Sequence, residues 1–213
     1  EREKDNPFFI YVSFNAIHTP QESKKEHLAL YEKKYHDDPK KLQNAAMTHS
    51  LDENVGKILD KLEQLGLKEN TVVIFTNDNG GQVKANHADN FPLRGLKGDA
   101  YEGGIRVPLA ISSPGNIKPG TISNAIVSSL DFLATMLEAA GQDLNKYPQL
   151  GGFSLVDIAS QKTKQTNRTL YWKIGDDKGA IRQGDWKLVV APGANPELYN
   201  LKLDIGETKN LIN

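Results

Sequence analysis

Two stretches of the chain consist almost entirely of apolar and aromatic residues, without alternating polar positions. They are residues 7–15, PFFIYVSFN, and residues 71–79, TVVIFTNDN. Unbroken apolar runs are typical of strands that are covered on both faces, as in parallel α/β sheets. We therefore predict a buried strand at each stretch, and a third at residues 107–112, VPLAIS.

Helical periodicity separates the predicted strands. Residues 42–65 carry apolar side chains at helical spacing, and Gly66 supplies a stop. A helix between two strands predicts a right-handed crossover and a mostly parallel sheet. A second amphipathic helix is predicted at residues 128–140, begun by a serine cap and ended by Gly141. The polar, lysine-rich residues 22–41 predict a solvated loop with a helical turn.

The C-terminal third of the chain has a different pattern. Proline and glycine within residues 148–152 mark a linker-like passage, and short stretches of alternating apolar and polar positions follow it. Alternation predicts antiparallel strands with one solvated face. The predicted strands are residues 168–174, 179–182 and 185–191, with a hairpin turn at residues 183–185 and a turn followed by a short helix at residues 197–211.

Together these patterns predict an α/β fold in two parts. Residues 1–145 would form a mostly parallel sheet flanked by helices, and residues 146–213 a small antiparallel α+β subdomain. The chain has 213 residues, of which 38% are hydrophobic and 25% charged, so it can bury a core of ordinary size. The proline- and glycine-containing passage is the natural boundary between the two parts.

Composition excludes several classes of function. The net charge of −1 gives no bulk field for nucleic acid or for an anionic membrane surface, and no apolar run is long enough to cross a bilayer. There is no cysteine, which excludes disulfides, thiolate metal sites and a cysteine nucleophile within these residues. The charged N-terminus has no initiator Met and no signal-peptide pattern. We expect this chain to be a piece of a longer protein, with any targeting signal upstream.

Asp78 and Asn79 lie where the second predicted strand gives way to a loop, and Gly80 and Gly81 follow them. Ligands bind outside the carboxyl ends of strands in open α/β sheets, and hard cations such as Ca²⁺ and Mg²⁺ prefer oxygen ligands. The tetrapeptide Asp-Asn-Gly-Gly is equally good turn chemistry. The local sequence leaves both interpretations open.

Further chemistry lies in three loops. His18 follows the first predicted strand and is a candidate acid/base, or else a loop histidine bonded to nearby backbone. Arg94, Lys97 and Arg106 lie in a glycine-rich segment, where fixed cations and close backbone are suited to holding a tetrahedral oxyanion. A solvated surface loop is the alternative for this segment. His87, in the polar loop of residues 82–90, faces either a ligand or solvent.

Four separated segments of the chain resemble the formylglycine-dependent sulfatases of the alkaline phosphatase-like superfamily. They are FFIYVSFNAIHTP, VVIFTNDNGG, LRGLKGDAYEGGIRVP and the tail that contains GDWKLV and ELYNLKLDIGETKNL. They occur in the order found in the family and cover nearly the whole chain. The third segment is the most specific. The resemblance is to the C-terminal half of these enzymes, so residues 1–145 would be the C-terminal portion of the catalytic domain.

The resemblance implies roles for individual residues. Asp78 and Asn79 would bind a divalent cation, usually Ca²⁺. His18 would contact the sulfate and help to protonate the leaving alcohol, and Lys97 would contact the sulfate oxygens. His87 is our candidate for a further substrate contact. Arg94 and Arg106 also match the family motif, and structural roles are expected for both.

One departure from the family pattern concerns the nucleophile. In the family it is a formylglycine made from Cys or Ser in a CxPSR-like motif, and the hydrate of this residue attacks sulfur while the alcohol departs. Neither that motif nor the other metal carboxylates is present in this chain. We expect them upstream in a full-length sulfuric ester hydrolase. This chain alone would then be inactive, bind Ca²⁺ weakly and tend to self-associate.

The resemblance leaves the substrate and the compartment open. A sulfated small molecule or glycan is the expected substrate, and a periplasmic, secreted or lysosomal location would suit the family. Two other functions compete with sulfate ester hydrolysis. A phosphate or phosphonate ester hydrolase of the same superfamily would use the same histidine, lysine and metal. A non-catalytic module that binds sulfated glycans is supported only by the lysine-rich residues 22–41.

Overall fold

The computed structural model describes residues 4–160 and 168–212. Helices and strands alternate in its first part, and the last strands follow one another without helices between them. Short 3₁₀ turns lie at Lys68–Asn70 and Leu144–Lys146. In chain order the elements are α1 Lys25–Tyr35, α2 Pro39–Gln64, β1 Val73–Thr76, α3 Val83–Asn86, α4 Glu102–Ile105, β2 Leu109–Ser112, α5 Asp131–Ala139, α6 Leu155–Ala159, β3 Thr169–Ile174, β4 Lys178–Gln183, β5 Trp186–Val190 and β6 Glu197–Asn200.

Helix α2 confirms the main helical prediction and begins three residues earlier than expected. Asp38 caps it, because the side chain of Asp38 accepts a 3.0 Å hydrogen bond from the backbone N–H of Lys41. Pro39 occupies the first helical position, where its missing N–H costs nothing. Gly66 ends the helix with a φ of +68°, as its position predicted.

Helix α1 corrects the prediction of a loop with a single helical turn at residues 22–41. Its eleven residues are mostly polar, and α1 packs along α2. The contact includes a polar pair, since Nδ1 of the buried His27 lies 2.5 Å from Oγ of the partly buried Ser50. Sequence periodicity missed this helix because a polar contact, in place of an apolar stripe, joins it to its neighbour.

The strand predicted at residues 7–15 is a second correction. These residues belong to no strand of the structure, and most of their apolar side chains are exposed, with Tyr11 at 82%. Strands β1 and β2 instead pair with each other in antiparallel register, from Val73 opposite Ser112 to Thr76 opposite Leu109. No parallel pairing is present among residues 4–160 and 168–212, so the predicted crossover is not formed within them. An apolar run indicates burial, whereas a strand also requires a hydrogen-bonded neighbour.

The small antiparallel sheet of the C-terminal region confirms the alternation in the sequence. Strands β3, β4, β5 and β6 are neighbours in that order, all antiparallel. Gly184, with a φ of +57°, lies in the predicted hairpin turn between β4 and β5. Strand β6 replaces part of the turn predicted at residues 197–211.

The division of the chain into two parts, with a boundary between residues 145 and 146, remains a prediction.

The glycine-rich segment packs directly on this sheet. Ala100 is buried against Ala180, Val189, Tyr199 and Leu201. The segment that carries Lys97 is therefore not a free surface loop, because the antiparallel sheet supports it from one side.

Helix α5 begins later than predicted and is fixed differently. No serine side chain caps it. The buried Asp131 accepts a 2.7 Å hydrogen bond from the backbone N–H of Ser128 and forms a 2.7 Å ion pair with Arg168, the residue just before β3. Gly141 ends the helix with a φ of +72°, as predicted. A buried ion pair thus joins α5 to the antiparallel sheet.

Among the described residues, none of the helices combines the length and the apolar character that crossing a membrane requires.

Candidate active site

Residues 78–81 form a turn that two other segments hold in place. The backbone N–H of Gly80 donates a 3.0 Å hydrogen bond to the carbonyl of Gly104, a residue of α4. The Asn90 side chain accepts from the N–H of Gly81 and donates to its carbonyl, both at 3.0 Å. These bonds hold Gly80 and Gly81, which directly follow Asp78 and Asn79. The cation-binding role of Asp78 and Asn79 stays a prediction.

Gly80 meets the backbone of α4 too closely for any side chain. A Cβ atom at Gly80 would lie 1.8 Å from the carbonyl oxygen of Gly103, and a Cβ at Gly103 would lie 2.5 Å from the carbonyl oxygen of Arg94. The glycines of the motif thus allow close approach of one backbone to another, as predicted. This approach brings the turn of residues 78–81 against the glycine-rich segment.

Replacing Gly80 with alanine is expected to destabilise the protein by about 1–3 kcal/mol or more, because the methyl group can be accommodated only by moving backbone. Gly56→Ala is the matched control. A Cβ at Gly56, within α2, meets no atom within 4 Å, so this change should stabilise the protein by about 0.5–1 kcal/mol. Urea denaturation of the full-length protein measures both changes. Equal effects of the two substitutions would contradict the packing described for Gly80.

Lys97 lies beside the turn of residues 78–81. Its backbone N–H donates a 3.2 Å hydrogen bond to the carbonyl of Gly81. Its side chain is half-buried and has no hydrogen-bond or ion-pair partner among residues 4–160 and 168–212, and the same holds for the exposed carboxylate of Asp78. Two uncompensated charges of opposite sign therefore lie on adjoining segments.

His18 lies in an exposed loop. Its backbone N–H donates to the carbonyl of Asn15 at 2.8 Å, and its ring Nδ1 lies 2.6 Å from the carbonyl oxygen of Thr19. The structure gives no hydrogen bond from this histidine to Asp78 or Lys97 within the part of the chain that it describes. The expected role of His18 in protonating the leaving alcohol stays a prediction.

His87 lies against the start of helix α2. Its Nδ1 is 2.8 Å and 2.9 Å from the two carboxylate oxygens of Asp38, the residue that caps α2. The hydrogen bond with His87 lowers the pKa of Asp38. This contact explains how His87 is held, and its predicted contact with substrate remains untested.

The fit of a divalent cation rests on the donors that the chain offers. Asp78 supplies carboxylate oxygens and Asn79 an amide oxygen, the ligand types that Ca²⁺ prefers. Within residues 4–160 and 168–212, no group of three or more His, Asp or Glu side chains is arranged to hold a metal ion. Asp78 and Asn79 therefore offer oxygen donors of the right type, and their role as cation ligands stays a prediction.

A buried network of charges was missing from the sequence-based prediction. Lys187, on β5, lies 2.9 Å from Glu102 Oε1 and 2.8 Å from Glu207 Oε1, and all three side chains are almost wholly inaccessible to solvent. Burial raises the pKa of Glu207, while the charge of Lys187 opposes this. The alternation along β5 could have predicted the burial of Lys187, because Lys187 lies on the same inward face of the strand as Val189.

Arg94 has the structural role expected for it. Its guanidinium donates to Tyr199 Oη at 2.7 Å and to the carbonyl of Glu207 at 3.0 Å, and it stacks on the ring of Tyr101. Burial and a hydrogen bond with Glu197 raise the pKa of Tyr199 to about 12. Burial would raise the pKa of Glu197, but hydrogen bonds from Tyr101 and Tyr199 and the charge of Arg94 hold it below its usual range.

Arg106 is likewise bound within the protein, 3.3 Å from Glu102 Oε2. Thus both arginines of the glycine-rich motif are held by carboxylates or hydroxyl groups of the protein, whereas Lys97 is not.

The sequence was compared with models of known protein families, and two of these models match it. A model of the sulfatase family matches residues 1–142. The chain belongs to the sulfatase family. A second model, described as N-sulphoglucosamine sulphohydrolase, C-terminal, matches residues 97–213 of this sulfatase-family chain. The resemblance noted in the sequence is confirmed.

Individual relatives agree with this assignment. A sulfatase of Formosa agariphila (strain DSM 15362 / KCTC 12365 / LMG 23005 / KMM 3901 / M-2Alg 35-1) is 34% identical over 236 residues, which cover 98% of this chain and 42% of that protein. The N-acetylgalactosamine-6-sulfatase of Mus musculus is 28% identical over 190 residues, 88% of this chain and 35% of that protein.

The solved structure of Ps i-CgsB in complex with k-i-k-neocarrahexaose has the same fold. It superposes with a TM-score of 0.88 at 29% identity, over 96% of this chain and 46% of that one. The α/β fold predicted from the sequence is therefore that of the sulfatases. This sulfatase-family chain spans less than half the length of each of these three proteins.

Proposed function

We propose that the full-length protein that contains this chain hydrolyses sulfate esters with the help of a divalent cation. The observation that carries the proposal is the hydrogen bond from the Lys97 N–H to the Gly81 carbonyl. It joins the segment of Lys97 to the segment that follows Asp78, and neither charged side chain has a partner among the described residues. The chain that carries them belongs to the sulfatase family. A cation bound at Asp78 and Asn79 and the ammonium of Lys97 would together attract a sulfate group.

Each residue has a distinct part in the proposed reaction. The transition state of sulfate ester cleavage spreads negative charge over the sulfate oxygens, and the half-buried ammonium of Lys97 would stabilise that charge. His18 would donate a proton to the oxygen of the departing alcohol. Asp78 and Asn79 would hold the cation, which supplies Lewis-acid polarisation of the sulfate when bound. The formylglycine nucleophile is expected from residues outside this chain.

A sulfated sugar is the proposed substrate class. The mouse relative is named an N-acetylgalactosamine-6-sulfatase, and the structure of Ps i-CgsB was solved in complex with k-i-k-neocarrahexaose. Both names refer to sugars, which favours a glycan over a simple aryl or steroid sulfate as the natural substrate. His87 and the loop of residues 82–90 are proposed to contact that sugar.

Parallel assays of the full-length protein with aryl sulfate and aryl phosphate test the reaction. We expect faster turnover of the sulfate, and a loss of about 10²–10³ in kcat/KM for Lys97→Ala, the usual effect of removing one fixed electrostatic contact to a transition state. Lys118→Ala is the control, because Lys118 is an exposed lysine outside both the glycine-rich segment and the loop of residues 82–90. It should stay within about twofold of the wild type.

Three results would contradict the proposal. Faster turnover of aryl phosphate or phosphonate would favour the related ester hydrolase. Binding of sulfated glycans without cation and without turnover would favour a binding module. An equal response of the Lys97→Ala and Lys118→Ala variants would remove Lys97 from the site.

A further inference from the structure

Glu207 combines two features that are unusual for a residue in a C-terminal tail. It is fully buried, and its φ of +52° lies in the left-handed region, which residues other than glycine seldom adopt. A backbone conformation of this kind persists only where the surrounding contacts fix it, and such positions cluster at functional sites. We therefore looked for a functional role of Glu207 in the contacts that hold it.

Three contacts hold Glu207, two from the glycine-rich segment and one from β5. Its Oε2 accepts a 2.6 Å hydrogen bond from the backbone N–H of Glu102, the first residue of α4. Its Oε1 lies 2.8 Å from Lys187 Nζ on β5. Its carbonyl accepts a 3.0 Å hydrogen bond from Arg94. The carboxylate thus satisfies the backbone N–H of Glu102, the first residue of α4.

Helix α4 connects this contact to the candidate active site. The carbonyl of Gly104, two residues after Glu102, accepts the N–H of Gly80, the residue that follows Asn79. The carbonyl of Arg94 accepts the N–H of Gly103 at 2.7 Å. The turn of residues 78–81 therefore rests on the same short helix that Glu207 holds at its first residue.

We propose that Glu207 is a positioning residue for the candidate active site. By fixing α4, Glu207 sets the position of Asp78 and Asn79 relative to Lys97, and so sets the affinity for the cation and the rate of sulfate ester hydrolysis. The proposal rests on the proposed function. The C-terminal tail, which carries none of the predicted site residues, takes part in catalysis through this one carboxylate.

A second buried carboxylate provides a matched control. Asp131 is as inaccessible as Glu207, accepts backbone N–H groups from Ser128 and Phe153, and pairs with Arg168 at 2.7 Å. Its contacts join α5 to β3, and none of them involves α4 or residues 78–81. Loss of Asp131 should thus lower stability without moving the site.

The experiment compares Glu207→Ala with Asp131→Ala in the full-length protein. Isothermal titration calorimetry measures the Ca²⁺ dissociation constant, and an aryl sulfate assay measures kcat and KM, at a temperature at which circular dichroism shows both variants folded. We expect Glu207→Ala to weaken Ca²⁺ binding and to lower kcat/KM by about 10- to 100-fold, the cost of a displacement on the order of 1 Å at a reacting centre. Asp131→Ala should change neither by more than about twofold.

Equal effects of the two variants, or a lower Tm for Glu207→Ala with unchanged Ca²⁺ affinity, would overturn the proposal. If Glu207→Ala does not fold, Glu207→Gln takes its place, since it keeps an oxygen acceptor for the Glu102 N–H but loses the charge opposite Lys187. A Ca²⁺ dissociation constant raised at least about threefold in Glu207→Gln supports the proposal, and an unchanged one overturns it. A wild-type protein that binds no Ca²⁺ and cleaves no sulfate ester overturns the proposed function, and the positioning role with it.

Discussion

Asp78→Ala is expected to abolish turnover of sulfate esters by the full-length protein, with a loss in kcat of about 10³-fold or more. The substitution removes the carboxylate charge that this chain offers to the proposed cation, and the affinity of a Ca²⁺ site depends on the number of charged ligands. A 10³-fold loss corresponds to about 4 kcal/mol of transition-state stabilisation. Steady-state assays over a range of Ca²⁺ concentrations, together with calorimetric titration of Ca²⁺, measure the effect.

Two further variants give this prediction its controls. Asp78→Asn keeps an oxygen ligand but removes the charge, so excess Ca²⁺ should recover part of its activity. Asp52→Ala removes an exposed carboxylate of α2 and should leave both the activity and the Ca²⁺ affinity within about twofold of the wild type. Full activity of Asp78→Ala at every Ca²⁺ concentration would show that the cation is bound elsewhere.

Lys187→Met is expected to lower the free energy of unfolding by about 3–5 kcal/mol. The lysine is completely buried between Glu102 and Glu207, so its removal leaves two neighbouring carboxylates without their shared partner. Most of this loss reflects the cost of unpaired buried charge, which exceeds the net value of the pair itself. Urea denaturation of the full-length protein measures the change.

Lys173→Met is the matched control for this prediction. Lys173 belongs to the same sheet, and its ion pair with Asp176 is exposed, with 76% of the lysine side chain accessible. Exposed pairs contribute about 0–1 kcal/mol. A loss below about 1 kcal/mol in Lys187→Met would mean that water reaches the carboxylates, in contradiction to the burial seen in the structure.

The helices and strands that were predicted correctly are those with a regular pattern of apolar and polar positions. Apolar positions at helical spacing located α2, and alternation located β3, β4 and β5, because each pattern reports which face of an element is buried. The same reasoning was wrong at residues 7–15, whose apolar run satisfies the pattern of a buried strand without a pairing partner among the described residues. It also missed α1, whose contact with α2 includes the polar pair His27 and Ser50.

The candidate site shows a similar division. Asp78, Asn79 and Lys97 are proposed from the sequence, because their residue types and their motifs suit the chemistry. Their relation in space could not, since it depends on Gly80 meeting α4 and on Lys97 bonding to Gly81. Contacts between segments that are far apart along the chain produce no periodic pattern, so they cannot be predicted from the periodicity of the sequence.

The sequence by itself determined the family resemblance, the main helix and the antiparallel sheet, and it supplied the residues that we propose to bind a cation and a sulfate. Only the tertiary structure decided that β1 pairs with β2 and that Lys187 is buried between two carboxylates. The physical reason is the range of the interactions. The burial of one face of an element can be recognised from residues that are close together in the sequence. By contrast, Glu102 contacts Lys187 and Glu207, which lie 85 and 105 positions away along the chain. Such contacts form only when the whole chain has folded.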